Sequence, residues 1–422
     1  MLLTWEARLI LRRFKPKIIA VTGSVGKTTT KDAIYAAISA HVHVRKSDKS
    51  MNSEIGVPLT IIGCKNAWWS IGGWAQNLFE GLKVAIMPGT YPEWLVLEVG
   101  ADHPGDIRRI ASWLKPDIAV ITSIPDIPVH VEFFSSPDDL AKEKRQLVVH
   151  VKPGGKLIIK GDEKRTQAMH SEFRGIATSF GFGSENDYSA SHDEFAYENG
   201  HLVGLQFRVN HGGSSVPIMT PGALGKAHMY AALAALACAD LLKIDLISAA
   251  GALRESIPPP GRMRIIPGLN GATIIDDTYN SSPAAVHAAL ETLINIPKVK
   301  KRIAILGDML ELGKFSTDQH KEVGRKVAES VNELVTVGFR AKTIATSAEE
   351  FGLGEKHIHV YAQGEVEIAA NSVAQLLKSD TVVLVKGSQS MRMERAVKAL
   401  MAHPEQAADF LVRQEEEWIN KK

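Results

Sequence analysis

The stretch that decides the fold is Thr22-Gly23-Ser24-Val25-Gly26-Lys27-Thr28-Thr29, a short glycine-containing loop. It follows an apolar run at 18–21, which predicts a strand, and leads into Lys27–Ser39, which predicts a helix. In this setting the glycines let backbone N–H groups turn toward phosphates, and the helix N-terminus adds positive potential. The stretch therefore predicts a nucleotide site, but the loop alone does not separate a ligase from an NTPase or a small-molecule kinase.

Two side chains of this loop have predicted chemical roles. Lys27 is a point charge for the outer phosphates, and the Thr28 hydroxyl is placed to ligate Mg²⁺. The other positions expected to bind the nucleotide are Gly23, Ser24, Val25, Gly26 and Thr29. ATP and Mg²⁺ are accordingly the expected cofactors.

Outward from the loop, short apolar runs alternate with segments of helical length. Residues 94–99 and Ile118–Ile121 are further candidate strands. Buried strands separated by helices predict a parallel, doubly wound α/β sheet with both faces covered. Residues 155–220 differ, because candidate strands Lys156–Lys160 and 202–209 alternate with Gly- and Ser-rich turns. They predict a small, partly antiparallel extension of the same domain.

The best domain boundary is Pro258-Pro259-Pro260-Gly261, because consecutive prolines cannot continue a helix. A second alternating series follows, with candidate strands at 273–276, 302–306, Glu333–Val337, 357–361 and 381–385. Its candidate helices are 283–293, 318–330, 365–378 and 391–401. This series predicts a Rossmann-like C-terminal domain, so the expected domains are 1–260 and 261–422.

Composition excludes several classes of protein. With 49 basic and 47 acidic residues the formal charge is +2, which gives no support for nucleic-acid binding through bulk charge. Two cysteines cannot build a disulfide framework or a cysteine-based zinc site. No apolar run reaches the ~18 residues of a membrane span. The N-terminus does not resemble a signal peptide, so a cytoplasmic protein is expected.

Two segments qualify that expectation. Residues 1–17 carry five basic residues and one acid among apolar side chains, which is typical either of a helix lying on an anionic membrane or of a first helix packed on its own domain. Residues 66–93 contain Trp68, Trp69 and Trp74, which indicate either an interface with a membrane or partner, or a local core. Peripheral contact with the inner face of a membrane is one expectation for both.

Beyond the loop, three residues are candidates for the site. Glu98 ends an apolar run, and a carboxylate at the C-terminal end of a parallel strand faces the ligand crevice, where it suits Mg²⁺. The alternative is a solvent-exposed glutamate at a strand end. His130 and Lys144 indicate little by themselves, since a loop histidine is usually structural and lysines on a polar helix are usually solvated.

Several motifs together resemble the Mur ligases of peptidoglycan synthesis, from about residue 18 to 400. The matching stretches are 22–30, M-N-S-E-I-G-V-P at 51–58, L-E-V-G-A at 97–101, G-R-M at 261–263, D-D-T-Y-N at 276–280, G-D-M-L-E-L-G at 307–313 and K-G-S at 386–388. The G-D-M-x-E-L-G stretch favours the member of the family that adds D-Ala-D-Ala. The resemblance implies an ATP-dependent, ADP-forming amide ligase that activates a muropeptide carboxylate as an acyl phosphate and joins it to an amine such as D-Ala-D-Ala.

The resemblance also implies roles for matched residues. Lys27 and Thr28 would hold the phosphates and Mg²⁺, and Glu98 and His130 would bind metal. Lys144 matches a lysine that is carbamylated in this family, which turns an ammonium into a metal-bridging carboxylate. The remaining implied contacts are Arg262 on the γ-phosphate, Asp277 on the ribose and His228 on the base.

Some positions depart from the family pattern. The loop begins at residue 22, which leaves no room in this sequence for the family's N-terminal UDP-binding domain. Ser123 stands where the family has asparagine, and Ala227-His228 replaces the His-Asn pair that contacts adenine. Two alternatives therefore stay open: a Mur-like ligase or amidating subunit acting on a lipid-linked or non-UDP substrate, and a catalytically inactive nucleotide-binding scaffold.

Overall fold

The computed structural model describes residues 2–48 and 51–419, so the last residues of the predicted C-terminal domain lie outside the description. Within this part of the chain the strands form a nine-stranded and a six-stranded sheet. The strands of the first sheet are β1 (Lys17–Thr22), β2 (Val44–Lys46), β3 (Trp94–Glu98), β4 (Ile118–Ile121), β5 (Lys156–Lys160), β6 (Ile176–Gly181), β7 (Tyr188–Glu198), β8 (His201–His211) and β9 (Ser214–Pro221).

The first sheet has the order β2-β3-β1-β4-β5-β6-β7-β8-β9, and neighbouring strands from β2 to β7 pair in parallel. Strands β7, β8 and β9 form the antiparallel extension. The sequence predicts this extension from residue 155, but β5 and β6 belong to the parallel sheet. The reason is that a helix follows β5 and allows a parallel return, whereas only short turns join β7 to β9.

Helices cover both faces of this sheet, as its near-continuous apolar strands require. They are α1 (Leu2–Phe14), α2 (Lys27–Ser39), α3 (Gly56–Ile62), α4 (Ile71–Ile86), α5 (Asp106–Leu114), α6 (Pro137–Val149), α7 (Lys164–Glu172), α8 (Lys226–Leu241) and α9 (Leu246–Arg254). Helix α2 spans the residues that the sequence predicts. Helix α8 begins at Lys226, directly after Gly225, whose φ is 88°.

The second sheet has the order β10-β11-β15-β12-β13-β14. Its strands are β10 (Arg264–Pro267), β11 (Thr273–Asp277), β12 (Lys301–Gly307), β13 (Glu333–Val337), β14 (Ile358–Tyr361) and β15 (Thr381–Lys386). Its helices are α10 (Pro283–Asn295), α11 (Ser316–Ser330), α12 (Ala341–Glu350), α13 (Val366–Ala374), α14 (Glu394–Leu400), α15 (Ala407–Phe410) and α16 (Glu416–Ile419). Only β10, the edge strand, runs antiparallel, so the predicted α/β class is confirmed.

The two sheets meet across the segment after the proline run. Leu224 N–H donates to the Met263 carbonyl at 3.0 Å, and Lys226 pairs with Glu291 of α10 at 2.8 Å. One continuous apolar cluster includes Leu224 and Met229 on one side and Leu290 and Met263 on the other. The C-terminal unit is therefore seated against α8, at the carboxyl ends of the first sheet's strands.

The amphipathic N-terminal segment forms α1, which packs on α3 and α4. The alternative of a first helix packed on its own domain is therefore confirmed for the buried side of α1, while Leu2 and Trp5 stay exposed. The tryptophans near α4 do not form a local core, since Trp68 and Trp69 are exposed. In residues 2–48 and 51–419, no helix combines the length and the hydropathy needed to cross a membrane.

Candidate active site

The phosphate loop connects the end of β1 to the first turn of α2. Gly23 has a φ of +150°, and a Cβ on it would lie 1.9 Å from the Thr122 hydroxyl oxygen, so only glycine fits. The Ser24 N–H donates to the Ser123 carbonyl at 2.7 Å, and Val25 forms an isolated bridge with the same residue. The end of β4 thus holds the loop in place, and Ser123 contributes through its backbone.

Two lysines lie beside this loop. Lys144 of α6 is buried and donates to the Gly23 carbonyl at 3.0 Å. Burial holds the pKa of Lys144 well below its usual value, and the nearby Lys27 ammonium adds to the shift. Burial also lowers the pKa of Lys27, which the Glu98 carboxylate opposes. A solvated surface lysine, which is one interpretation of Lys144 from the sequence alone, is therefore excluded.

Glu98 lies at the end of β3, buried rather than exposed to solvent. Its Oε2 accepts a hydrogen bond from the Thr28 hydroxyl at 2.9 Å, and its Oε1 accepts one from the Asn52 side chain at 3.0 Å. Its backbone N–H donates to the Ser47 hydroxyl at 3.1 Å. Mg²⁺ prefers oxygen ligands, and the Glu98 carboxylate and the Thr28 hydroxyl provide two of them side by side, so these residues fit Mg²⁺.

Arg262 brings a positive charge from the C-terminal unit to the loop. Its guanidinium lies 4.0 Å above the Tyr279 ring, and it is close enough to contribute to the lowered pKa of Lys27. Its Nε and the Ser24 hydroxyl are buried and make no hydrogen bond to another described residue. Buried polar groups normally have partners, so these two atoms fit an anionic ligand between the two units.

His228 and Asp277 hold the segment around Arg262. His228 is buried and its Nε2 lies 2.7 Å from the Arg262 carbonyl, so the ring donates there. Burial lowers the pKa of His228, which favours this neutral form. Asp277 accepts from the Met263 N–H at 3.2 Å and from Lys386 Nζ at 2.6 Å. The predicted contacts of His228 with the base and of Asp277 with the ribose stay predictions.

His130 faces the C-terminal unit. Its Nδ1 lies 2.5 Å from a carboxylate oxygen of Glu311, and its Nε2 lies 3.7 Å from Asp102. The His130 ring holds the pKa of Glu311 below its usual value. No group of three or more His, Cys, Asp or Glu side chains with the arrangement of a metal site occurs in the part of the chain that the structure describes. The metal roles of His130 and Lys144 stay predictions.

Two contacts of the site were missed by sequence reasoning. Asn52 orients Glu98, and Glu311 contacts His130 from the other unit. Both residues lie inside the motifs at 51–58 and 307–313, so the motifs themselves were the available signal. The motifs do not show which residues contact each other. Glu311 is far from His130 in the chain and contacts it only because the two units pack together.

Fold and site define a class: a phosphate-loop α/β protein with a second Rossmann-like unit that completes the nucleotide site. Sequence profiles agree with that class. The profile of the Mur ligase middle domain matches residues 21–71 and 81–239, and that of the Mur ligase, glutamate ligase domain matches 261–389. The chain belongs to the Mur ligase family.

Individual relatives point to one branch of this family. The UDP-N-acetylmuramoyl-tripeptide–D-alanyl-D-alanine ligase of Bacillus subtilis is 29% identical over 401 residues, which cover 94% of this chain and 79% of the relative. The enzyme of the same name from Escherichia coli is 25% identical over 397 residues, covering 93% and 79%. The crystal structure of MurF ligase from Thermotoga maritima in complex with ADP has a TM-score of 0.76 at 24% identity, and the match covers 96% of this chain and 84% of that one.

Proposed function

We propose that the chain is an ATP-dependent amide ligase that activates a carboxylate as an acyl phosphate and joins it to an amine. The observation that supports this most is the meeting of Lys27 and Arg262, which belong to different units, at one phosphate loop. Phosphoryl transfer needs cations placed around the equatorial oxygens of the transferred group, and a cation from each unit meets that need.

In the first step the substrate carboxylate attacks the γ-phosphorus of ATP, the bond from that phosphorus to the bridging oxygen breaks, and ADP leaves. In the second step the neutral amine attacks the acyl carbon, the bond from that carbon to the phosphate oxygen breaks and inorganic phosphate leaves, and the nitrogen loses a proton to give the amide. Lys27 and Arg262 face the charge on the transferred group. The packed C-terminal unit keeps water from the acyl phosphate.

The metal chemistry proposed for the site uses four residues of this chain. Thr28, Glu98, His130 and a carbamate on Lys144 would hold Mg²⁺, which when bound neutralises charge on the phosphate oxygens. Lys144 suits carbamylation because its lowered pKa leaves a neutral amine, the form that reacts with carbon dioxide. The carbamate would then remove the repulsion between Lys144 and Lys27.

For substrates we infer a muropeptide carboxylate and D-Ala-D-Ala, on the basis of the names of the relatives. A lipid-linked or non-UDP acceptor is the second candidate, and the exposed apolar side chains of α1 and α4 favour it. An inactive scaffold is disfavoured, because Glu98 and Lys144 are buried and each forms a hydrogen bond with a residue of the phosphate loop. Buried charges without a ligand role cost stability.

The test is a phosphate-release assay with ATP and Mg²⁺, using D-Ala-D-Ala as the amine. One arm supplies a UDP-linked muropeptide and the other its lipid-linked counterpart. Phosphate release that requires both acceptor and amine supports the ligase, and the more active arm identifies the acceptor. No release in either arm, with ATP bound normally, contradicts the ligase and favours the scaffold.

A further inference from the structure

Helix α4 exposes an apolar face that no described residue covers. Ile71 is 86% exposed, and Phe79 and Ile86 are each 66% exposed. With Leu82, which is also exposed, they recur at helical spacing and therefore share one side of the helix. The opposite side packs on α1 and α3, where Gly81 is buried. The profile of the Mur ligase middle domain does not match residues 72–80, which lie in α4.

The loop before α4 extends this apolar face. Trp69 is 92% exposed, and Met87 continues the face just beyond the C-terminal end of the helix. The neighbouring Trp74 donates its indole N–H to the Trp68 carbonyl at 2.9 Å, which fixes the loop on the start of the helix. A large apolar patch on a rigid scaffold is unusual for a free surface and marks an interaction site.

The charges around this face are mainly positive. The one acid of α1, Glu6, is buried against Gly81 of α4, where a Cβ would lie 2.2 Å from its carboxylate oxygen. The exposed charges of α1 are all basic: Arg8, Arg12 and Arg13. On α4, Lys83 pairs with Glu80 at 3.4 Å. The helix pair thus combines the apolar face of α4 with exposed arginines on α1, of which Arg13 donates to the Val84 carbonyl of α4 at 3.3 Å.

We propose that α1 and the exposed face of α4 form a docking surface for an anionic lipid bilayer. Apolar and tryptophan side chains would enter the boundary between headgroups and acyl chains, and the arginines would lie against anionic headgroups. A second copy of this chain fits less well, because a two-fold contact through this surface would bring the arginines of both copies into one interface. The surface does not include a residue of the ligase site, so this proposal is independent of the proposed function.

The experiment is co-sedimentation of the full chain with vesicles of phosphatidylcholine alone and of phosphatidylcholine mixed with phosphatidylglycerol. We expect binding to the mixed vesicles only, weakening as salt is added. The double variant Trp69→Ser/Phe79→Ser should bind the mixed vesicles at least about tenfold more weakly, because it removes two aromatic anchors. The charge variant Arg8→Glu/Arg12→Glu should lose the preference for anionic vesicles.

Phe339→Ser is the matched control, since Phe339 is 91% exposed and lies on the C-terminal unit. This variant should bind vesicles as the unaltered protein does. All substituted side chains are exposed, so each variant should keep the unaltered circular dichroism spectrum and its turnover with a water-soluble acceptor. No binding by the unaltered protein, equal binding to both kinds of vesicle, or an equal loss in Phe339→Ser would overturn the proposal. So would a dimer in solution that the double variant converts to a monomer.

Discussion

At the scale of single residues, the arrangement of Lys144 is costly unless it serves a function. The amine is buried, it donates a hydrogen bond to the Gly23 carbonyl, and a second ammonium on Lys27 lies near enough to repel it. A protonated amine in such a place is unfavourable, and desolvation favours the neutral form. The neutral amine of Lys144 is therefore suited to react with carbon dioxide, whereas an exposed lysine is protonated at neutral pH and reacts poorly.

Lys144→Ala tests this reading. We expect turnover to fall about 10²-fold or more, because a charged group beside the phosphates is lost, and a short carboxylate such as formate to restore part of it. Lys142→Ala, an exposed lysine of the same helix, is the control and should keep full activity. The measurement is ADP formation with and without formate. Full activity of Lys144→Ala would show that no carbamate is needed.

Lys27→Ala tests the loop itself. Lys27 serves charge rather than packing, so we expect turnover to fall about 10²-fold or more while the melting temperature stays near that of the unaltered protein. Lys142→Ala, which removes an exposed lysine of α6, is again the control. A folded Lys27→Ala protein with near-normal ADP formation would contradict the proposed role.

At the scale of elements, the phosphate loop depends on its neighbour β4. Gly23→Ala would place a methyl group against Thr122, where there is no room, and the loop would have to move away from the Ser123 carbonyl. We expect the variant to fold but to lose most of the gain in melting temperature that ATP and Mg²⁺ give the unaltered protein. Gly89→Ala, at an open position, is the control. An unchanged gain would show that the loop tolerates the shift.

Sequence patterns predicted best the elements whose ends are clearly marked. Helix α2 and the strands β4 and β13 have the bounds that their patterns predict, because each is a run with clear limits. The short edge strands β2 and β10 were missed, since three or four partly buried residues leave little signal. Helix α14 begins at Glu394, later than 391, because Arg392 takes a left-handed φ of 56° and interrupts the helical run.

The residues of the candidate site also divide into those that the sequence predicts and those that it does not. Lys27, Thr28 and Glu98 could be predicted from the end of a strand and the start of a helix, and the structure brings Thr28 and Glu98 into contact. The contact of Glu311 with His130 could not, because it depends on how the two units pack. Local patterns specify elements, whereas contacts across a linker depend on tertiary structure.

At the scale of the whole molecule, the candidate nucleotide site draws residues from both units. Arg262 and Glu311 come from beyond Pro258–Pro260, and they lie beside Lys27 and His130 of the first unit. Linkers of this kind allow domain closure. We infer that opening admits substrates and that closing assembles the site.

Arg262→Ala tests closure together with chemistry. We expect turnover to fall roughly 10³-fold, while ATP affinity changes only a few-fold, because the cation matters most as charge moves onto the γ-phosphate. Arg254→Ala, an exposed arginine just before the proline run, is the control. Turnover within a few-fold of the unaltered enzyme would contradict a shared site.

Small-angle scattering measures the motion itself. A non-hydrolysable ATP analogue with Mg²⁺ should reduce the radius of gyration of the unaltered protein, since closure brings the C-terminal unit onto the phosphate loop. Glu311→Ala removes one closing contact and should weaken this response without abolishing analogue binding. Identical scattering with and without the analogue would show that the units do not move on nucleotide binding.

The exposed Trp68 and an indole ring of the C-terminal unit give the molecule a built-in optical signal. Trp68, beside α4, meets Trp418 of α16 edge to face, with ring centroids 6.4 Å apart and planes at 89°. The Trp418 carbonyl accepts from Arg392 at 2.9 Å, so this indole moves with the C-terminal unit. Separating the two indoles changes the polarity around both, and with it the colour and intensity of their fluorescence. Stopped-flow fluorescence can therefore time each opening and closing without any attached dye, with Trp418→Phe as the silent reference.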